Sequence, residues 1–169
     1  MHVAWRGVLL AVLCCIAVTS SAQKTREDII AAYLFNFTKF VEWPESASDS
    51  FNLCVLGNSP VVQSLRGFQG QKVASKPVEI YQYRNVRLVE DCRVLFITMS
   101  EASVFEDQLE KLVNKPVLTV SALPGFAKAG GGIQLLEQNA RISFHINRNV
   151  TRANGLQVSS KLLRLSKEP

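Results

Sequence analysis

The spacing of apolar side chains changes several times along this chain, and each change marks a predicted element. Residues 7–18 (GVLLAVLCCIAV) form an unbroken apolar run behind the charge of Arg6. The run falls short of the roughly 20 residues a membrane-spanning helix needs. Small residues follow and end in Ser20-Ser21-Ala22, the form of a cleavage site. A removable leader over 1–22 and an unanchored mature domain over 23–169 are expected. Ile29, Ile30, Tyr33, Leu34, Phe37, Phe40 and Val41 then recur at helical spacing behind a capping box at Thr25-Arg26-Glu27-Asp28. The pattern predicts a helix that runs to Trp43-Pro44, because the residue before proline is pushed out of the α region. So wide an apolar surface is either buried or shared with a partner.

Further on, the period alternates between strand and helix. Residues 52–56 read as a buried strand ending in Gly57, and Ser59-Pro60 opens a short helix over 61–68. Residues 78–83 alternate like a strand with one covered face. The nearly continuous apolar run 93–98 suits a central parallel strand. Ser100 is the expected cap of a helix over 101–113, followed by a strand over 117–120. Gly130-Gly131-Gly132 leads into a hairpin, 133–136 and 142–146 around Gln138-Asn139, with positive φ angles expected at the glycines. A final helix over 150–165 is interrupted early at Asn154-Gly155. This order predicts the α/β class: a single-domain layered sandwich, mostly parallel open sheet, with a C-terminal antiparallel hairpin and helix.

Composition narrows the function. The net charge is +5, from 19 basic and 14 acidic residues, and falls to +4 when Arg6 leaves with the leader. The cations are dispersed, whereas nucleic-acid binders concentrate them, so nucleic acid is not the expected partner. Cys14 and Cys15 lie in the leader, which leaves Cys54 and Cys92 in an oxidising compartment. A disulfide between them is expected, worth up to about 4 kcal/mol through the loop it closes. Two buried thiols are the alternative. Those two cysteines and His145 cannot supply the four ligands of a zinc site. The glycine trio lacks the following Lys-Ser or Lys-Thr of a phosphate loop. No serine stands in a nucleophile elbow to engage His145. With no catalytic residue, metal or cofactor indicated, the chain reads as a binder.

Two segments give that reading a direction. Residues 30–44 (IAAYLFNFTKFVEWP) resemble the opening helix of YfiR-like proteins, and 139–147 (NARISFHIN) with 155–165 (GLQVSSKLLRL) resemble their closing strand and helix. Leu53-Cys54-Val55-Leu56-Gly57 and Gly130-Gly131-Gly132-Ile133 also fit, so the resemblance spans essentially all of the mature chain. It implies a small periplasmic α/β protein, not an enzyme. Such a protein binds and represses the periplasmic sensor domain of an inner-membrane diguanylate cyclase, lowering cyclic di-GMP and biofilm output. Cys54 and Cys92 match a family disulfide; the cysteines of a second bridge, found in some members near the terminal hairpin, are missing. Tyr33, Phe37, Phe40 and Trp43, an aromatic surplus on one amphipathic element, are the expected partner-binding residues. A homodimer through that helix is a further expectation. So is a small ligand in the crevice beyond the carboxyl ends of the parallel strands.

Overall fold

The computed structural model describes residues 24–84, 91–139 and 141–167, so the expected leader lies outside it. Helix α1 spans Arg26–Phe37. Its capping box forms as read: Thr25 Oγ1 accepts the Asp28 N–H at 3.1 Å, and the Asp28 carboxylate accepts the Thr25 N–H at 3.0 Å. The helix stops at Phe37, well before the predicted end at Trp43. Thr38 turns its hydroxyl back onto the Phe35 carbonyl at 2.6 Å, and the chain tightens through Lys39 and Phe40 into i→i+3 bonds. Val41–Glu42 then becomes strand β1, paired antiparallel with Gln157–Val158 near the other end of the chain. A long-range partner, absent from any local pattern, decides this segment.

The main sheet has seven strands: β2 (Phe51–Leu56), β3 (Lys72–Val73), β4 (Lys76–Tyr83), β5 (Cys92–Ile97), β6 (Leu118–Ser121), β7 (Ile133–Gln138) and β8 (Arg141–Ile146). Their order is β3-β4-β2-β5-β6-β7-β8, with β3 and β8 antiparallel on the two edges and the five inner strands parallel. Among the parallel strands, β2 and β5 are the neighbours between which the winding reverses, as in doubly wound sheets. The expected α/β sandwich with its terminal hairpin is therefore what forms.

Each face of the sheet has its own core. Leu53, Val55, Val94 and Phe96 meet Ile30, Leu34 and Phe37 of α1, and Leu65 of α2 (Val61–Leu65), on one face. Cys54, Leu56, Leu95 and Ile97 meet Leu109 of α3 (Phe105–Glu110) and Phe126 on the other. Covered on both sides, β2 is buried at every position. A register shift between Asn52/Leu53 and Cys92/Val94 leaves Arg93 as the extra residue of a bulge. That extra residue sends Cys92 to one face and Val94 to the other. Cys92 thereby reaches Cys54, their Cα atoms 5.9 Å apart, and the two are joined by a disulfide. The expected bridge is present and lies inside the second core.

The remaining differences from the sequence reading have local causes. The helix predicted over 101–113 is a 3-10 turn, Met99–Glu101, followed by the short α3. Ser100 does not cap it, because its hydroxyl accepts the Asn58 N–H at 3.1 Å and bonds Thr98 at 2.7 Å. The predicted closing helix divides into α4 (Arg148–Ala153), β9 (Gln157–Val158) and α5 (Ser160–Leu165). Buried Asn154 makes the break: it accepts the Asn114 N–H at 3.1 Å and donates to the Val117 carbonyl at 3.2 Å. Gly155 then turns at φ +73°. In the glycine trio, Gly130 takes the positive φ of 103°, whereas Gly131 is there for space. A Cβ at 131 would lie 2.2 Å from the Phe126 ring.

Candidate functional site

The four aromatic residues expected to meet a partner do not share one patch. Phe37 is 1% exposed and packs edge-on against Phe144 at 5.2 Å, so in this fold it belongs to the core. Tyr33 is half-buried and donates its hydroxyl to the Ile142 carbonyl at 2.7 Å. Its ring borders a depression with Ala32, Ser64 and Phe68. Phe40 lies half-buried beneath the Lys161 ammonium, 5.5 Å from its ring centre, beside β9. Trp43 sits beyond the helix, edge-on to Phe51 at 5.1 Å, and its indole N–H donates to the Arg93 carbonyl at 3.0 Å. The helical spacing placed them on one face only by assuming that α1 continued through 43.

Trp43 does form the wall of a groove of about 810 Å³. The groove lies at the amino ends of β2 and β5, against the β3–β4 turn. Phe51 and Val73 add apolar surface, and Lys39, Lys72, Lys76 and Arg93 line it against Glu42 and Glu45. Lys76 is held in place, donating to the Ser46 and Ser48 carbonyls at 2.8 and 2.6 Å. Arg93, the bulge residue, is half-buried; desolvation pulls its guanidinium below the ordinary arginine value, partly offset by Asp91. It stays charged, since that value begins far above neutrality. A rigid aromatic wall with a cationic border can hold an acidic segment with apolar side chains. Sequence reasoning missed Lys72, Lys76 and Arg93, because the turn and bulge that gather them leave no periodic trace.

A second hollow, about 510 Å³, opens at the carboxyl ends of the strands. Gly57, Asn58, Gln82, Arg84, Ser100 and Glu101 line it where the winding reverses between β2 and β5, the place doubly wound sheets offer a ligand. Gly57 has φ +94°, and a Cβ there would lie 2.2 Å from Thr98 Oγ1 and 2.5 Å from Ser100 Oγ, so a side chain at 57 would be strained and would crowd both hydroxyls. Gln82 donates to the Gly57 carbonyl at 2.9 Å. This is the crevice the sequence reading assigned to a small ligand. His145 stands apart from both hollows, its Nδ1 2.9 Å from the Lys167 carbonyl. Among the described residues, no three His, Cys, Asp or Glu side chains gather as a metal site would require.

A bridged, doubly wound α/β domain with one aromatic, cationic groove and one polar crevice has the form of a recognition scaffold. The chain belongs to the YfiR/HmsC-like family, which matches it over residues 27–167. That family is regulatory rather than catalytic, and periplasmic. No curated protein matches the chain. Among the described residues, no helix is long and apolar enough to cross a membrane.

Proposed function

We propose that this protein is exported to the periplasm, where it binds the sensor domain of an inner-membrane diguanylate cyclase and holds the enzyme inactive. Cyclic di-GMP and the biofilm output that depends on it fall as a result. The family match over residues 27–167 carries this reading, and the apolar run at 7–18 behind Arg6 supports export. The repressor acts without covalent chemistry. It prefers one shape of the sensor domain, and shifts the balance only by the difference in affinity for the two shapes. A preference of about 3 kcal/mol changes the ratio of inactive to active cyclase roughly 150-fold.

The amino-end groove is the docking surface we assign to the sensor domain. Trp43 is half-exposed there, at the centre of a cationic border, and buried aromatic anchors dominate binding energy at such interfaces. Trp43→Ala and Lys72→Glu, each checked by circular dichroism for a native fold, should weaken capture of the purified sensor domain by about tenfold or more. Capture at wild-type strength by both variants rules out this groove. Failure of the wild-type protein to bind or inhibit any diguanylate cyclase encoded beside it overturns the function itself.

The polar crevice at the winding reversal supports a second reading, a small-molecule binder whose ligand sets the affinity for the cyclase. A thermal-shift screen against envelope metabolites, repeated with Gly57→Ala, tests it. A stabilising ligand lost in the variant supports this reading, and no stabilisation by any metabolite removes it.

A further inference from the structure

The turn that ends α4 makes two demands on adjacent residues. The Gly155 N–H donates to the Arg152 carbonyl at 3.0 Å and the Leu156 N–H to the Thr151 carbonyl at 2.9 Å, the paired bonds of a Schellman motif. Residue 155 sits there at φ +73°, a backbone conformation that favours glycine. Position 154 calls for a short side chain with one acceptor and one donor. Asn154 Oδ1 accepts the Asn114 N–H at 3.1 Å, Nδ2 donates to the Val117 carbonyl at 3.2 Å, and the residue is 7% exposed. Together the two demands write Asn154-Gly155, the one Asn-Gly pair in the chain.

That pair has a chemistry of its own in water. The backbone nitrogen after an asparagine can attack the side-chain amide carbon, and glycine, lacking a Cβ, hinders the approach least. Here the Gly155 nitrogen gives up its proton and bonds Asn154 Cγ, the Cγ–Nδ2 bond breaks, and ammonia leaves. Water then opens the resulting succinimide at either carbonyl. One opening leaves aspartate; the other leaves isoaspartate, in which the main chain runs through the side-chain carbons. The fold keeps every participant out of this reaction. The Gly155 N–H is bonded to Arg152, and both ends of the Asn154 amide are bonded. A ψ of 7° at Asn154 eclipses the Gly155 nitrogen with that residue's own nitrogen, whereas ring closure needs it beside Cβ.

We infer that Asn154-Gly155 is a deamidation site, guarded while the closing segment is folded and unlocked when that segment opens. The chain beyond it is tied back by few backbone bonds. These are the two-residue β1–β9 pairing, the Ser159 N–H on the Phe40 carbonyl, and the Lys167 N–H on the Phe144 carbonyl. Terminal elements held in this way are among the first to open. Each opening frees the pair to react, and the product does not restore what was lost. An aspartate carboxylate still accepts from Asn114 but sets an oxygen against the Val117 carbonyl. Isoaspartate lengthens the main chain and puts the Schellman bonds out of register. A converted copy therefore closes less tightly than a fresh one, and the site records how long the end of the fold has stood open.

The inference does not depend on cyclase binding, and its test uses the mature chain alone. Samples are incubated at neutral pH in heavy-oxygen water, with and without unfolding guanidinium chloride. Mass spectrometry of the tryptic peptide that follows Arg152 then reads the amide-to-acid change at Asn154. Conversion should carry a solvent oxygen and run about tenfold or more faster in the unfolded chain than in the folded one. The converted fraction, separated by its added negative charge and returned to buffer, should melt at a lower temperature than the parent. Asn154→Asp should show a deficit of the same sign, narrowing on acidification as a protonated side chain can again donate to Val117. Equal rates in the folded and unfolded chain overturn the inference, as does no conversion in guanidinium. So does a converted fraction that melts with the parent. These three outcomes use the unaltered chain, so they decide the matter even if the variant folds poorly.

Discussion

Asp28 shows how one side chain serves two purposes at the start of α1. Its carboxylate closes the capping box and also accepts the Ser64 hydroxyl at 2.7 Å, which ties α1 to α2. The Ser64 bond, followed by the Thr25 backbone and side-chain bonds, holds the acid below the usual carboxylate range. A carboxyl whose pKa is lowered by folding stabilises the fold above its unfolded pKa. That contribution disappears as the pH falls through the folded value. Asp28→Asn should therefore melt at a lower temperature than the parent at neutral pH. The gap should close on acidification below about pH 4, in melting curves taken across pH. Phe37→Ala should cost about 3–5 kcal/mol by urea denaturation, since it empties a closed site against Phe144. The sequence marked Asp28 for the cap it makes, but marked Phe37 as a partner contact, and Phe37 lies in the core. It could not separate an aromatic that is core from one that borders a groove, because both obey the same helical spacing until Thr38 ends the helix.

Elements held by local chemistry or a long apolar run were readable, and elements held by distant partners were not. The capping box, the all-buried β2, the apolar β5 and the β7–β8 hairpin follow from residues close together in the chain. The two-residue strands β1, β3 and β9 owe their existence to what they pair with, and no period can show in so short a span. The short α3 and the divided closing helix failed for a related reason: Ser100 and Asn154 found polar partners across the fold. Asn154→Ala should strand the Asn114 N–H and the Val117 carbonyl, costing about 1–3 kcal/mol by chemical denaturation. Replacing Cys54 and Cys92 together by alanine should cost up to about 4 kcal/mol, read the same way. The variant should still fold, because the α1 face of the sheet keeps its own core.

At the scale of the molecule, the cations that border the groove come from four separate places: after α1, on either side of the β3–β4 turn, and at the bulge of β5. In the sequence they look dispersed, and the fold gathers them. If that border steers an acidic sensor domain, association should slow markedly as salt rises through the physiological range, while dissociation changes little. Stopped-flow binding at several ionic strengths checks this. A salt-independent association rate would assign the docking energy to Trp43 and its apolar neighbours alone.

The pairing of Val41 with Val158, and of Lys167 with the carbonyl of Phe144, bears on how the protein is made. A chain emerging from the ribosome presents residue 41 long before residue 158 exists, so the small β1–β9 clasp can latch only once nearly the whole chain has been made. Until then the nascent polypeptide has an unfinished end that proteases and chaperones can grip. A pore that threads only loose chains would find it still pliable.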